Sequence, residues 1–175
     1  MILKNKLSFI VAVDAEFGFS KNYKIPWKYV QDFKFFKDTT ADSICLMGRN
    51  TYEEIAEMRK YPDKVTSLLP SRLCLVLSSS CIPETDWVKR IKSIDDAKIT
   101  YERDSEHNNF FYIGGLRVYD QALVDTDCEI GYITKLKKTF DCDLFFNESL
   151  LRDNFSFSRT MYEDDDMVIE KWTRI

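Results

Sequence analysis

The chain has 175 residues, of which 45% are hydrophobic and 31% charged, and its formal net charge is -4. This length suits one domain with a substantial core, so we predict a single domain over residues 1–175. The composition excludes a disordered chain, and the mild acidity excludes a strongly basic nucleic-acid-binding surface. Because no apolar run approaches membrane-spanning length and the start lacks a signal-peptide core, we expect a cytoplasmic protein without a membrane or nucleic-acid partner.

The cysteines indicate neither a disulfide framework nor a zinc site, because they are odd in number, widely spaced and without a C-x-x-C pair. They are Cys45, Cys74, Cys81, Cys128 and Cys142. We interpret them as small buried hydrophobic residues and predict no metal site.

The predicted elements alternate between short apolar strands and longer amphipathic helices. In chain order they are a strand at 7–13, a helix at 27–38, a strand at 43–47, a helix at 50–58, a strand at 73–77, a helix at 94–101, a strand at 110–113, a helix at 116–123, and strands at 129–136, 155–162 and 167–173. The acidic run 163–166 predicts a hairpin turn between the last two strands. This order is typical of an α/β fold with a mostly parallel central sheet, flanking helices and a C-terminal antiparallel hairpin.

The helix predicted at 27–38 carries an acid on an aromatic face. Spacings of three and four residues place Tyr29, Asp32, Phe33 and Phe36 on one side of that helix. Burying a carboxylate is costly unless it is hydrogen-bonded or takes up a proton, and either state suits a ligand pocket. The alternative is an acid at the rim of an ordinary amphipathic helix.

Residues suited to binding an anion follow three of the predicted strands. They are Gly48 to Thr51 with Arg49, then Ser78 to Ser80, then Gly114 and Gly115 with Arg117. Glycine lets the backbone approach a ligand, and a helix that starts there offers free N–H groups to phosphate. Helix capping, an ordinary loop and a tight turn are the respective alternatives, and no G-x-G-x-x-G fingerprint is present. Their coincidence at strand ends favours a ligand site, because open α/β sheets bind ligands there.

The ordered motifs resemble the dihydrofolate reductase family. The matching segments are the strand 10–13, the loop 18–27 that ends in Pro26-Trp27, Asp32 with Phe36, the Gly48-Arg49 motif at 47–53, Leu69 to Arg72, the segments 76–79 and 113–119, the pair 133–134, and Asp143. The resemblance implies the family's fold and NADPH-dependent reduction of 7,8-dihydrofolate to tetrahydrofolate. It also implies that the peptide bond between Gly114 and Gly115 is cis.

The resemblance also assigns residues to roles. It assigns catalysis to Asp32, Trp27, Thr134 and Tyr119, and substrate binding to Ile10, Asp32, Phe33, Phe36, Leu69, Arg72 and Thr134. It assigns NADPH binding to Ala12, Phe19, Ser20, Gly48, Arg49, Asn50, Thr51, Ser78, Ser79, Lys92, Ile113, Gly114, Gly115, Leu116, Arg117, Val118 and Tyr119. Reduction of a dihydropteridine needs a proton at N5, and burial among Trp27, Tyr29, Phe33 and Phe36 is expected to raise the pKa of Asp32 so that it can assist.

The expected small-molecule partners are dihydrofolate and antifolate-type compounds, and the expected state is a monomer. Two alternatives remain: a reductase of the same fold that acts on another heterocycle, as in riboflavin synthesis, and a folate-binding protein without turnover. Ser20 stands where the family loop usually has glycine, Leu116 where a smaller residue is commoner, and the connection at 59–68 is longer than usual.

Overall fold

The structure is a computed structural model that describes residues 4–175. Its elements in chain order are β1 (Leu7–Val13), β2 (Gly18–Ser20), α1 (Val30–Thr39), β3 (Ile44–Gly48), α2 (Arg49–Arg59), β4 (Leu73–Leu77), β5 (Val88–Ile91), α3 (Ile94–Arg103), β6 (Phe110–Tyr112), α4 (Leu116–Val124), β7 (Cys128–Leu136), β8 (Leu144–Phe145), α5 (Glu148–Asn154), β9 (Phe155–Glu163) and β10 (Met167–Arg174).

An eight-stranded sheet forms the centre of the molecule, in the order β5-β4-β3-β6-β1-β7-β10-β9. The strands from β5 to β7 are parallel, whereas β10 runs antiparallel to both β7 and β9. The predicted α/β fold with its C-terminal hairpin is therefore confirmed. Because parallel strands end at the same edge, the carboxyl ends of β1, β3, β4 and β6 meet at one place in the fold.

The acidic run between the last two strands forms the turn that the sequence predicts. The Asp164 carboxylate accepts hydrogen bonds from the backbone N–H groups of Asp166, at 2.7 Å, and Met167, at 2.9 Å. Side-chain acceptance of nearby backbone N–H groups is how aspartate stabilises turns. The hairpin is thus fixed locally, and β10 is held in register beside β9.

Gly131 lies within β7 because an aromatic ring occupies the space of a side chain. A Cβ atom added there would overlap the ring of Phe9 on the neighbouring strand β1. Phe9 is itself fully buried in the main core cluster. The close approach of the ring requires glycine, which explains why a glycine lies inside this strand.

Gly131→Ala is therefore expected to lower the free energy of unfolding by about 2 to 3 kcal/mol, through overpacking against Phe9. Denaturant unfolding measures the change. Gly48→Ala is the control, because its added methyl group would lie 3.7 Å from the backbone N of Gly115, an ordinary contact distance. Equal losses in the two variants would contradict the role given to Phe9.

Three of the cysteines, Cys45, Cys74 and Cys128, are buried as predicted. The prediction is wrong for Cys81, which is exposed because it follows the serine loop (Ser78 to Ser80) beyond β4 instead of lying in a strand. Cys142 is half-buried. Among residues 4–175, no helix combines the length and apolarity needed to cross a membrane.

Candidate active site

A cavity of about 950 Å³ opens where the carboxyl ends of the central strands meet. Every residue that the sequence assigns to cofactor binding lies on its wall, from Ala12 on β1 to Tyr119 on α4. The wall also contains residues that the assignment did not include: Tyr23, Ile25, Glu54, Leu77, Ser80, Arg90 and Leu144. The strand-end motifs, far apart in the sequence, thus form one surface.

Two helix N-termini meet at this wall. Helix α2 starts directly after Gly48 and helix α4 directly after Gly115, and the Gly48 N–H donates to the Gly114 carbonyl at 2.8 Å. The first N–H groups of a helix have no partner within it, so both helices present donors and the positive ends of their dipoles to the cavity. This arrangement suits phosphate oxygens.

Gly114 has a backbone conformation and a surrounding space that exclude a side chain. Its φ is 124°, and an added Cβ would lie 3.2 Å from the Tyr119 hydroxyl and 3.3 Å from Thr51 Oγ1. The peptide bond between Gly114 and Gly115 is cis, as the resemblance implies. A ligand can therefore approach the bare backbone of this pair closely.

Cationic side chains organise the serine loop at the cavity edge. Arg49 Nη1 donates to Ser78 Oγ at 3.1 Å and to Ser80 Oγ at 2.9 Å, while its Nε pairs with Glu53 at 2.8 Å. Arg90, on β5, donates through Nε to the Ser78 carbonyl at 3.0 Å. Guanidinium and hydroxyl groups together can hold a phosphate ester by charge and by directed hydrogen bonds.

Tyr119 lies on the cavity wall and bonds to two backbone carbonyls there. Its hydroxyl lies 3.0 Å from the Ile10 carbonyl and 2.9 Å from the Ile113 carbonyl, so one proton serves two acceptors. Its ring meets that of Phe19 edge-on, with centroids 5.4 Å apart. Burial raises the pKa of Tyr119, and the nearby charges of Asp32 and Glu54 raise it further, so the phenol stays protonated.

Asp32 is buried on α1, with 7% of its surface exposed. The indole Nε1 of Trp27 lies 3.4 Å from Asp32 Oδ2, and Thr134 on β7 is its other side-chain hydrogen-bond partner. Burial raises the pKa of Asp32, although the hydrogen bonds from Trp27 and Thr134 oppose the rise. The direction expected from the sequence is confirmed, and the carboxyl can hold a proton more readily than an exposed one.

The aromatic face around Asp32 differs from the prediction at Phe33 and at Tyr29, which precedes the helix with an extended backbone. Phe33 is 44% exposed, whereas Phe35 turns inward and meets Tyr132 with ring centroids 5.9 Å apart. Helix α1 begins at Val30, and the neighbours of Asp32 on its own face are the residues three and four positions on, Phe35 and Phe36. Phe33 is displaced by one residue, or about 100° around the helix, so the prediction that it helps to bury Asp32 is wrong.

Of the remaining residues assigned to substrate, Ile10 lies on β1, and Arg72 lies against the C-terminal end of α1. Arg72 is buried and donates through Nε to Thr40 Oγ1 at 3.0 Å and through its terminal nitrogens to the carbonyls of Pro70 and Lys37. These bonds use three of the five guanidinium N–H groups. Phe36 and Leu69 are half-buried against the same core cluster.

This second group adjoins the cavity without lining it. Within residues 4–175, the cavity wall contains none of the residues assigned to substrate. The two groups meet where Ala12, on the wall, pairs in register with Thr134, the partner of Asp32. Tyr119 joins them a second time through its hydroxyl on Ile10. The site therefore has a cation-rich half and an acid-containing half that share a boundary.

A match to a known protein family identifies the family of this chain. The family model described as dihydrofolate reductase matches residues 6–171. The chain belongs to the dihydrofolate reductase family. This match confirms the resemblance drawn from the ordered motifs and, with it, the enzyme activity predicted from the sequence.

Individual relatives agree with the family match. Dihydrofolate reductase of Drosophila melanogaster is 31% identical in an alignment of 172 positions that covers 93% of this chain and 87% of the relative. The Aedes albopictus enzyme is also 31% identical, over 82% of this chain and 80% of its own length. A solved structure of the Enterococcus faecalis enzyme, complexed with NADP(H) and RAB-propyl, superposes with a TM-score of 0.78 at 26% identity over 99% of both chains.

Two charged residues of this dihydrofolate reductase site escaped sequence analysis. Arg90 lies on β5, a short strand with Lys89 and Arg90 at its centre that lacks the apolar pattern of a buried strand. Glu54 lies one residue beyond the matched Gly48 motif, and its side chain reaches the cavity through a contact with the distant Ile25. Ser80 belongs to the serine run that the sequence already identifies. No local sequence feature identifies Arg90 or Glu54 as site residues.

Proposed function

We propose that this chain reduces 7,8-dihydrofolate to 5,6,7,8-tetrahydrofolate with NADPH, using Asp32 to hold the pterin and to assist protonation. The observation that carries the proposal is a buried carboxylate at the boundary of a cation-rich cavity, in a chain of the dihydrofolate reductase family. NADPH is the cofactor, in agreement with the NADP(H)-bound structure of the Enterococcus faecalis relative.

The chemistry of the cavity wall fits an anionic dinucleotide. Arg49, Arg90, Lys92 and Arg117 lie on it, and Glu54 is its single acidic residue among those the structure describes. Arg49 with the serine loop is suited to the ribose 2′-phosphate, which favours NADPH over NADH. The paired helix N-termini and the bare Gly114 backbone suit the pyrophosphate and nicotinamide. When bound, NADPH supplies the hydride for the reduction.

Asp32 supplies the contacts that orient the pterin. Its two oxygens can accept from N3 and the 2-amino group of the ring, a bidentate pairing that aligns the ring with the cavity boundary. Trp27 and Thr134 fix the carboxyl group through their own hydrogen bonds. Because burial raises its pKa, Asp32 also favours a proton near the pterin, which reaches N5 through an ordered water.

Phe36, Leu69 and Arg72 extend the pterin site along α1. Phe36 and Leu69 would enclose the benzoyl ring, and Arg72 would pair with the α-carboxylate of the glutamate. The support lies in the geometry of Arg72, which is held rigidly by three internal hydrogen bonds and keeps two N–H groups for a carboxylate. A pre-oriented guanidinium loses little freedom on binding.

Arg72→Leu is expected to raise KM for dihydrofolate by about 10- to 100-fold, the worth of hydrogen bonds to a charged group. A dihydropterin without glutamate is the matched control, and its kcat/KM is expected to change by less than about threefold, because it never reaches Arg72. Steady-state kinetics with both substrates measures the difference. Equal losses with the two substrates would place Arg72 outside the glutamate contact.

One chain supplies both halves of the site, so we propose that the enzyme acts as a monomer. Free cysteines suit a reducing compartment, which supports a cytoplasmic location. Antifolate-type compounds that present an amidine edge to Asp32 are its expected inhibitors.

The proposed function is tested by following NADPH absorbance after adding dihydrofolate to the purified protein. Oxidation is expected to require dihydrofolate and to proceed poorly with NADH. Absence of turnover with every dihydropterin tried would overturn the proposal, and turnover of a different heterocycle alone would reassign the substrate.

A further inference from the structure

A single hydrogen bond joins the loop before α1 to helix α2 at the edge of the cavity. The backbone N–H of Ile25 donates to Glu54 Oε2 at 2.8 Å, and both residues lie on the cavity wall. Ile25 belongs to the segment that connects β2 to α1, whereas Glu54 lies in the second turn of α2. The bond therefore fastens a connecting loop to a helix whose N-terminus faces the cavity.

The loop that Glu54 holds is a compact turn with few other attachments. Lys21 and Lys24 exchange backbone hydrogen bonds of 2.8 and 3.0 Å, and the residues between them, Asn22 and Tyr23, have φ values of 50° and 62°. The Asn22 N–H donates to Asp143 Oδ2 at 3.0 Å. The turn is thus fastened on one side by Asp143 and on the other by Glu54.

Packing contributes little to holding this segment. Tyr23 is 60% exposed and Ile25 is 43% exposed. With so little apolar surface buried, a charge-assisted hydrogen bond at Ile25 is a large part of what keeps the loop in place. Loops that close over a bound ligand are drawn from such weakly held segments, and their opening often limits release.

We propose that Glu54 is a positioning residue that fastens the loop 21–26 to α2 beside the cofactor cavity and so slows the release of NADPH. This role rests on the proposed function, because it takes the cavity to hold NADPH. Glu54 acts through Ile25, not through contact with the reacting atoms.

The charge of Glu54 has an effect opposite to that of its hydrogen bond. It is the one acid on a wall otherwise supplied with cations, among the residues described, and repulsion from an anionic cofactor weakens binding. Burial raises the pKa of Glu54, while the Ile25 N–H and the charge of Lys24 oppose that rise. Removing the side chain speeds NADPH release if the hydrogen bond dominates and slows it if repulsion dominates.

Glu54→Ala, Glu54→Gln and the control Glu57→Ala separate these effects. Glutamine keeps an acceptor oxygen without the charge, and Glu57 is an exposed glutamate on the same helix. Two quantities are measured: the NADPH dissociation rate by stopped-flow displacement, and amide hydrogen exchange at Ile25 in the cofactor-free protein, with the Asn22 amide as the internal reference.

Loss of the bond in Glu54→Ala is expected to speed both NADPH dissociation and Ile25 exchange by about tenfold. Exchange at Asn22 and the behaviour of Glu57→Ala are expected to stay unchanged, and Glu54→Gln to lie within about threefold of the parent because it keeps the acceptor. Unchanged or slower NADPH release in Glu54→Ala, or unchanged Ile25 exchange, would overturn the proposal.

Failure of the proposed function has a different signature. A parent protein that does not turn over dihydrofolate refutes that function, yet Ile25 exchange still shows whether Glu54 holds the loop. A parent that turns over normally, with release unaffected in Glu54→Ala, refutes the role of Glu54 alone.

Discussion

Asp32→Asn is expected to reduce dihydrofolate turnover at neutral pH by about 10²- to 10⁴-fold, the usual contribution of a positioned acid or base. Asparagine keeps the shape and one acceptor oxygen, but it cannot bind the pterin edge through two anionic oxygens or hold an exchangeable proton. Single-turnover oxidation of bound NADPH measures the loss. Asp32→Glu, which restores a carboxyl group in a shifted position, is expected to be intermediate, and a fully active Asp32→Asn enzyme would refute the role of this acid.

The same substitution is expected to stabilise the protein near neutral pH. Because burial raises the pKa of Asp32 above its ordinary value of 3.8, the folded state binds more protons than the unfolded state at pH values between the two pKa values. The contribution of Asp32 to the free energy of unfolding therefore falls as pH rises through that window. Asp32→Asn removes this loss. The variant is therefore expected to have a higher free energy of unfolding than the parent at neutral pH, and this difference should vanish below pH 3.8. Denaturant unfolding of the variant and the parent at neutral pH and below pH 3.8 checks the sign of this difference. A variant that is more stable than the parent only in acid would contradict it.

Gly114→Ala is expected to lower the free energy of unfolding by about 2 to 3 kcal/mol and to impair NADPH binding. Its φ of 124° is rarely adopted by residues with a side chain, and the added methyl group would crowd the Tyr119 hydroxyl at 3.2 Å and Thr51 Oγ1 at 3.3 Å. Both crowded groups are themselves part of the cavity wall. Denaturant unfolding and calorimetric NADPH titration measure the two effects.

Gly115→Ala is the matched control for backbone strain. Its φ is -91°, and an added Cβ would meet Thr51 Oγ1 at 3.7 Å and Phe19 at 4.0 Å, which are ordinary contacts. Its stability is expected to change by less than about 0.5 kcal/mol, like a substitution away from strained or crowded sites. Weaker NADPH binding by Gly115→Ala without a stability loss would locate the cofactor against this pair. Unchanged binding in both variants would place the cofactor elsewhere.

The sequence predicted the elements whose patterns are long and apolar, and it missed those that depend on the rest of the fold. The central strands and the hairpin carry continuous β-branched or aromatic runs, whereas β2 and β8 span only three and two residues. Helix α5 was missed although Asn147 caps it by accepting from the Leu150 N–H at 2.9 Å, because its seven residues are too few for a clear helical period. Helix α1 starts at Val30 because Tyr29 has an extended backbone.

The candidate site likewise contains residues that the sequence identifies and residues that it misses. Glycine and arginine at strand ends could be recognised because their chemistry and their place in the sheet are both local features, and all of the residues assigned to the cofactor reach one cavity. Glu54 and Arg90 could not be recognised. Their roles depend on Ile25 and on the carbonyl of Ser78, which lie 29 and 12 residues away. Phe33 is exposed because it lies one residue, or about 100°, away from Asp32 around the helix, and the spacings of three and four residues that both keep to Tyr29 and Phe36 obscured this offset.

The amount of tetrahydrofolate formed for each NADPH oxidised tests the central claim most directly. Product analysis by chromatography, alongside NADPH absorbance, is expected to give equal amounts of the two in the parent protein and neither in Asp32→Asn on the same timescale. Oxidation of NADPH without tetrahydrofolate, or no oxidation when dihydrofolate is added, would contradict the assignment of this site to dihydrofolate reduction.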